Sequence, residues 1–245
     1  MKTLVIIPSR LSATRLPGKP LLKVNGLSII SHVFKKAEEA NIGEVIVAAE
    51  DQEIVDDVKK NGGQAIITNN YHQTGTDRIY EAFVKLDNPK IDLIMNLQGD
   101  EPLMNVDDIK KLNNLMIKNN SDLGTLASTI SHKAIYENKS VVKVKTKEIL
   151  TNENFPEAIN FSRYILDQDK KIYHHLGIYC YQKETLKDFV SYEQSFDEKK
   201  NKLEQLRALE NNIKINVALA KTSPIGVDTE EDFLAIKKIM EYKSK

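Results

Sequence analysis

Three cations, Arg10, Arg15 and Lys19, fall within ten residues of one another in "IIPSRLSATRLPGKPL", straight after an apolar run. Arginine binds phosphate oxygens in a two-pronged way and lysine adds a point charge, so the group suits a polyphosphate. Ser9, Ser12 and Thr14 add hydroxyls, and the loop has free backbone N–H groups. The common glycine cradles are missing. A Walker loop needs G-x-x-x-x-G-K-[ST], but Gly18-Lys19 is followed by Pro20 and no glycine stands five positions before Gly18. The G-x-G-x-x-G dinucleotide fingerprint is absent as well. A solvated loop with scattered surface ion pairs would explain any one of these cations. Three of them around a Pro17-Gly18 turn point to phosphate.

Acids stand at the ends of two other apolar segments. "QGDEP" places Asp100 and Glu101 before Pro102, where a carboxylate could serve Mg²⁺, an ion that takes one or two carboxylates plus substrate phosphates. A turn that caps the next helix fits that spacing equally well. Asp228 in "GVDTEED" also follows a strand-like run, but Asp-Thr before Glu-Glu is an ordinary helix start, and Thr229 with Asp232 resembles a capping box.

The elements that must position these groups alternate. "TLVIIP", "EVIVAAE", "QAIIT", "DLIMNLQ" and "LGTLASTI" read as strands. Between them "SIISHVFKKAEEAN", "DQEIVDDVKKNGG", "TGTDRIYEAFVKL" and "VDDIKKLNNLMIKNN" have helical spacing, with Thr76 a possible cap for the third. Such alternation predicts an α/β fold with a mainly parallel sheet flanked by helices, binding its ligands beyond the strands' carboxyl ends. From about residue 131 to 210 the rhythm changes: "SVVKVKT", "EAINFSRYI" and "HHLGIYCYQ" read as strands and "KNKLEQLRALENN" as one helix. This segment is an excursion from a single domain spanning 1–245. The chain returns with "KINVALA" and a last helix, "EEDFLAIKKIMEYK".

Composition bounds the partners. The 245 residues carry 35 Lys+Arg against 35 Asp+Glu, so bulk charge points to neither nucleic acid nor a membrane surface. The lone cysteine, Cys180, has apolar neighbours, reads as a buried thiol and fits a reducing cytoplasm. No run reaches the length of a membrane span, and the start predicts no secretory leader.

Taken together, "IIPSRLSATRLPGKPL", "TGTDR", "NLQGDEP", "HHLGIYCY", "LEQLRALE" and "GVDTEED" occur in the order found in the 3-deoxy-manno-octulosonate (Kdo) cytidylyltransferase family, which the chain resembles essentially end to end. The resemblance implies a Rossmann-like nucleotidyltransferase fold, usually a homodimer, with the 131–210 region serving dimerisation and the sugar site. It implies transfer of CMP from CTP to the anomeric hydroxyl of Kdo with release of pyrophosphate, as part of lipopolysaccharide synthesis. By the same resemblance Arg10 and Lys19 hold the CTP phosphates, with Arg15 and Ser12 close by. Asp100 and Asp228 match paired Mg²⁺ ligands, and Gly75, Arg78 and Gln98 lie near the nucleotide. Gln98, Arg163, His175, Tyr179, Glu204 and Gln205 match positions near the sugar acid. Glu204 and Arg207 could equally form a helix-surface ion pair, and Leu203, Leu206 and Leu209 read as core or dimer packing. Strand alternation puts His174 and His175 on opposite faces, and the resemblance selects His175. His32, His72 and His132 show no metal spacing and receive no role.

Other readings keep part of this. The same chemistry on the 8-amino analogue of Kdo would want an acceptor for the amine, and a sialic acid acceptor fits "LPGKP" and "LEQLR" less well. A regulatory module that binds nucleotide without chemistry would need the cationic loop but not two acids at separate strand ends. A nicotinamide oxidoreductase would need the missing fingerprint.

Overall fold

The computed structural model describes residues 1–12, 15–130, 133–164 and 169–243. Thr14 and His132, and Ile165 at the end of one expected strand, lie outside them. In chain order the elements are β1 (Thr3–Ser9), a 3₁₀ turn (Lys19–Leu21), β2 (Lys23–Val24), β3 (Leu27–Ser28), α1 (Ile29–Ala40), β4 (Gly43–Ala49), α2 (Gln52–Lys60), β5 (Ala65–Ile67) and α3 (Gly75–Leu86). There follow β6 (Leu93–Asn96), α4 (Val106–Asn119), β7 (Leu123–Ser128), α5 (Lys133–Glu137), β8 (Lys143–Thr146), β9 (Ala158–Ser162) and β10 (Ile172–Gln182). The chain ends with α6 (Lys183–Ser191), α7 (Phe196–Asn201), α8 (Gln205–Glu210), β11 (Ile215–Leu219) and α9 (Glu230–Lys243). Among the described residues no helix is long and apolar enough to cross a membrane.

The chain divides into two compact units. The first comprises Lys2–Ile91, Asn96–Ile109 and Pro224–Lys245. Its strands run β1-β4-β5, all parallel, with Ile6 opposite Ile46 and Val47 opposite Ala65. As its unbroken apolar run predicts, β1 is buried on both faces: Leu4 to Ile7 are at most 1% exposed. Helix α1 lies on β1 and β4 through Ile30, Val33, Phe34 and Ala37, and the Ser28 side chain caps it by accepting from the Ser31 N–H at 3.2 Å. The cap of α3 is Thr74, whose oxygen accepts from the Asp77 N–H at 3.2 Å. Thr76, the residue expected there, is buried inside the first turn, because the chain enters the helix two residues sooner.

The second unit comprises Asp92–Met95 and Lys110–Ser223, with Met1, and contains the described part of the expected excursion at 131–210. Its strands run β11-β7-β10-β6, with β8 beside β10 and β9 beside β8. Here β11 is parallel to β7, whereas β10 is antiparallel to both β7 and β8. Cys180 on β10 is fully buried, and burial pushes its thiol far above the ordinary range, so it is a packing residue.

The single helix expected over 200–212 is broken. Lys202 turns left-handed at φ 55° and separates α7 from α8. Arg207 is turned inward, at 2% exposed, and does not lie on a helix surface. Its Nε and Nη2 bind Glu198 two-pronged at 2.7 and 2.5 Å, and its guanidinium stacks 4.6 Å from the centre of the Phe189 ring. Glu198 also closes a capping box with Ser195. Both charges are at least 97% buried, so removing one strands the other. Arg207→Met is therefore expected to lower the unfolding free energy by about 3–5 kcal/mol, read from urea midpoints at fixed pH.

Candidate active site

In the first unit the cationic loop starts where β1 ends. It closes on itself through the Gly18 N–H, which donates to the Leu11 carbonyl at 3.0 Å. Gly18 sits at φ 71°, a conformation costly for any residue with a Cβ, and this turn delivers Lys19 into the 3₁₀ turn. The ammonium of Lys19 then meets Asp100 in close contact, the Val227 carbonyl at 2.9 Å and Asp228 Oδ1 at 3.4 Å. Arg15 Nη2 reaches the same Asp228 oxygen at 3.0 Å. The two acids singled out in the sequence are thus brought to one lysine. The backbone supports this, since the Val227 N–H donates to the Asp100 carbonyl at 2.8 Å. Thr229 and Asp232 form the expected reciprocal cap beneath it, at 2.9 and 3.2 Å.

Gly99 allows the acidic loop to approach β1, for a Cβ there would stand 2.9 Å from the Pro8 carbonyl oxygen and 3.1 Å from Ile30. The next acid, Glu101, was not assigned from the sequence, although it adjoins Asp100 in "GDEP". Its Oε2 is buried without a hydrogen-bond partner among the described residues. Burial, and then repulsion from Asp100 and Asp228 working against Lys19, push its carboxyl up to about 8.

These groups open onto a cleft of about 340 Å³, within the usual range for a small-molecule site. Arg10, Arg15, Lys19, Gly75, Arg78, Gln98, Asp100 and Asp228 line it. Arg10 is exposed and has no ion-pair partner among the described residues. Ser12 does not line the cleft; its hydroxyl donates to Glu50 Oε1 at 3.0 Å. His72, which carried no sequence signal, stands in the cleft wall in close contact with Glu81. Burial raises the Glu81 carboxyl, but bonds from Lys85, His72 and the Asn69 N–H outweigh it and hold it down at about 2.

Of the residues matched to the sugar acid, Gln98 lines the cleft of the first unit and the others lie in the second. His175 and Tyr179 on β10 are buried, with ring centres 5.5 Å apart, and Phe161 meets the His175 ring edge-on at 4.9 Å. Thr125 gives its hydroxyl proton to the Ile178 carbonyl at 2.6 Å, so it accepts from His175 Nε2 at 3.0 Å. Burial, and then the charges of Tyr181 and Glu204, raise the Tyr179 hydroxyl. Gln205 is buried, and Glu204 precedes it at the start of α8. The guanidinium of Arg163 donates to the carbonyls of Asn201 and Ser140 at 3.2 and 3.1 Å. Lys143 fixes the Arg163 backbone by donating to its carbonyl at 3.0 Å.

Comparison with known proteins gives a consistent picture. A family model described as cytidylyltransferase matches residues 4–215. The chain is 40% identical over 240 residues to a 3-deoxy-manno-octulosonate cytidylyltransferase of Afipia carboxidovorans, covering 97% of this chain and 96% of the relative. A protein of the same name from Paramagnetospirillum magneticum is 39% identical over 231 residues, covering 94% of each chain. The solved structure of CMP:2-keto-3-deoxy-manno-octonic acid synthetase complexed with CTP matches at a TM-score of 0.90 and 33% identity, over 99% of this chain and 100% of the other. An apo UDP-glucose pyrophosphorylase, at a TM-score of 0.76 and 11% identity, shares the fold alone.

The burial of His175 has a consequence in solution. Its imidazole is held at about 3 against an ordinary 6.5, first by burial and then by the charge of His174. The folded state therefore binds fewer protons than the unfolded chain between those values. This contribution to stability is complete above about pH 6.5 and is lost as pH falls, at up to about 1.4 kcal/mol per pH unit. His174, also lowered by burial and by Lys143, adds in the same direction. Urea midpoints between pH 7 and 5 should fall with pH, and His175→Asn should flatten the slope. An unchanged slope in the variant would exclude His175 as its source.

Proposed function

The chain belongs to the 3-deoxy-manno-octulosonate cytidylyltransferase family, and on that premise we propose that it transfers CMP from CTP to the anomeric hydroxyl of Kdo, releasing pyrophosphate. One observation carries the reading: two acids far apart in the chain, Asp100 and Asp228, meet at Lys19 in a cleft that Arg10 and Arg15 also line.

The donor chemistry fits magnesium. Two carboxylates already converge on one cation, and the buried, unpartnered oxygen of Glu101 lies on the residue next to Asp100. Among the described residues no three His, Cys, Asp or Glu side chains form a ready-made cage, as suits an ion completed by substrate phosphates. Asp100 and Asp228 would hold it, and when bound it supplies charge that acidifies the sugar hydroxyl and steadies the triphosphate. The chain's own cations do the rest. Arg10 and Lys19 balance the charge that grows on departing pyrophosphate, with Arg15 close by. Gly75 at the start of α3 and Gln98 stand in the cleft wall, which supports their role in holding the nucleotide. In the second unit, Arg163 offers a cation to the sugar carboxylate, while His175, Tyr179, Glu204 and Gln205 offer donors and acceptors to its hydroxyls.

The same reading includes a homodimer, a cytoplasmic location and a supply of activated sugar for lipopolysaccharide. The exposed apolar side chains of Ile159, Tyr164 and Phe196 support pairing of two subunits through the 131–210 region.

Purified protein with magnesium, each of the four common nucleoside triphosphates, and Kdo or its 8-amino analogue should release pyrophosphate with CTP and Kdo. UTP replaces an amino donor with a carbonyl acceptor, a mismatch of about 1–3 kcal/mol per buried group, so its rate should be at least several-fold lower. Equal rates with both nucleotides would remove the cytidylyl assignment. Asp228→Asn is expected to keep most CTP affinity and lose most turnover, whereas Asp100→Asn loses both, being the less exposed of the two beside Lys19. Calorimetric CTP titration beside single-turnover kinetics separates these outcomes. Equal loss of affinity in both variants would refute the division.

A further inference from the structure

Glu50 follows directly on β4, one position beyond Ala49, which pairs with Ser9 at the end of β1. Its N–H donates to the Ser9 carbonyl at 3.3 Å, so it is anchored where the cationic loop departs. Its side chain is only 10% exposed. One carboxylate oxygen accepts from the Ser12 hydroxyl at 3.0 Å, and the other takes a close contact from Arg78 Nη2. The next residue, Asp51, accepts from the Leu11 N–H at 2.7 Å. Two acids that carried no sequence signal thus hold the first residues of the loop.

Glu50 does not line the cleft, but it adjoins Arg78, which does, and an unneutralised carboxylate so close would repel an incoming polyanion. Arg78 cancels it. The Arg78 side chain is 3% exposed, and its Nη1 is already engaged by Thr68 Oγ1 at 2.7 Å and by the Asn69 carbonyl at 3.1 Å. It forms part of the cleft wall, yet its charge is committed within the protein. We propose that Glu50 is a positioning residue for the nucleotide, and that Arg78 acts on the nucleotide through Glu50 and Ser12 without touching it. The inference rests on the CTP reading above.

The two roles for Arg78 differ in a double-variant cycle. With Arg78 as a counter-charge, Arg78→Met leaves the Glu50 charge without its ion-pair partner behind the cleft wall. Adding Glu50→Gln then removes the stranded charge and keeps an acceptor for Ser12. Calorimetric CTP titration should show Arg78→Met weakened about tenfold or more, and Glu50→Gln/Arg78→Met recovering most of that loss. A double variant as weak as Arg78→Met, or an Arg78→Met with wild-type affinity, would overturn the inference. Should Arg78→Met not fold, the double variant decides alone: affinity within tenfold of wild type supports the inference, and a larger loss overturns it. Wild-type protein is the control for the underlying reading. If it binds no CTP, that reading fails and takes this one with it; if it binds and the double variant does not recover, only this one fails.

Discussion

The first unit depends on one ammonium group. Lys19 joins segments 81 and 209 residues apart by meeting Asp100 and Asp228, and it also ties down the Val227 carbonyl. Without it, Asp100 and Asp228 would repel each other with nothing between them, and both already push the neighbouring buried Glu101 carboxyl up. The requirement runs back into the loop. Lys19 arrives at the acids because Gly18 turns left-handed and because the Gly18 N–H closes onto Leu11. It also runs forward into α9, whose start is set by the Thr229–Asp232 cap directly after Asp228.

The opposite end of the loop is tied by a different logic. Asp51 and Glu50 hold Leu11 and Ser12 from the end of β4, so acids secure the loop at its beginning as well as at Lys19. A loop of cations alone would repel itself and spread. Acids placed behind it give the cations fixed positions at the cost of part of their charge. The parallel pairing of β1 with β4 makes this possible, because it carries Ser9 and Glu50 to the same edge of the sheet.

Much of this was legible in the sequence, and the failures have physical causes. The buried runs of β1, β4 and β7 declare themselves by composition, and the cap of α9 by its Thr-x-x-Asp spacing. The cations declare themselves by clustering after β1, whereas Asp100 and Asp228 share the local signature of helix starts and are singled out only by the family resemblance. Glu50 and Asp51 give no such signal, because an acid in a loop has the same local signature whether it faces water or a buried partner. Nothing local separates the role of Glu101 from that of its neighbour Asp100. His72 escaped for the same reason, its partner Glu81 lying nine residues away on α3. The break between α7 and α8 was invisible because nothing local forces Lys202 left-handed; burial of the Arg207–Glu198 pair accompanies it, and that is a tertiary matter. The displaced cap on α3 is a choice between two threonines two residues apart, which pattern alone cannot rank.

The cations of the cleft are therefore not equivalent, and their inequality orders what an anion meets. Arg78 is cancelled by Glu50, and Lys19 is engaged by Asp100 with only 15% of its side chain exposed. Arg15 is tied to Asp228, but both side chains are largely open to water, at 62% and 46%, where an ion pair is worth at most about 1 kcal/mol. Arg10 is exposed with no ion-pair partner among the described residues. A polyanion entering the cleft can recruit Arg10 without breaking any ion pair and Arg15 at little cost. It reaches Lys19 only by sharing it with the acids. The positive charge that is free to attract is thus the exposed part, and the charge that fixes geometry is the buried part. A single cationic run can in this way both draw a phosphate in and place it, because the surrounding carboxylates, not the cations themselves, decide which of those tasks each cation performs.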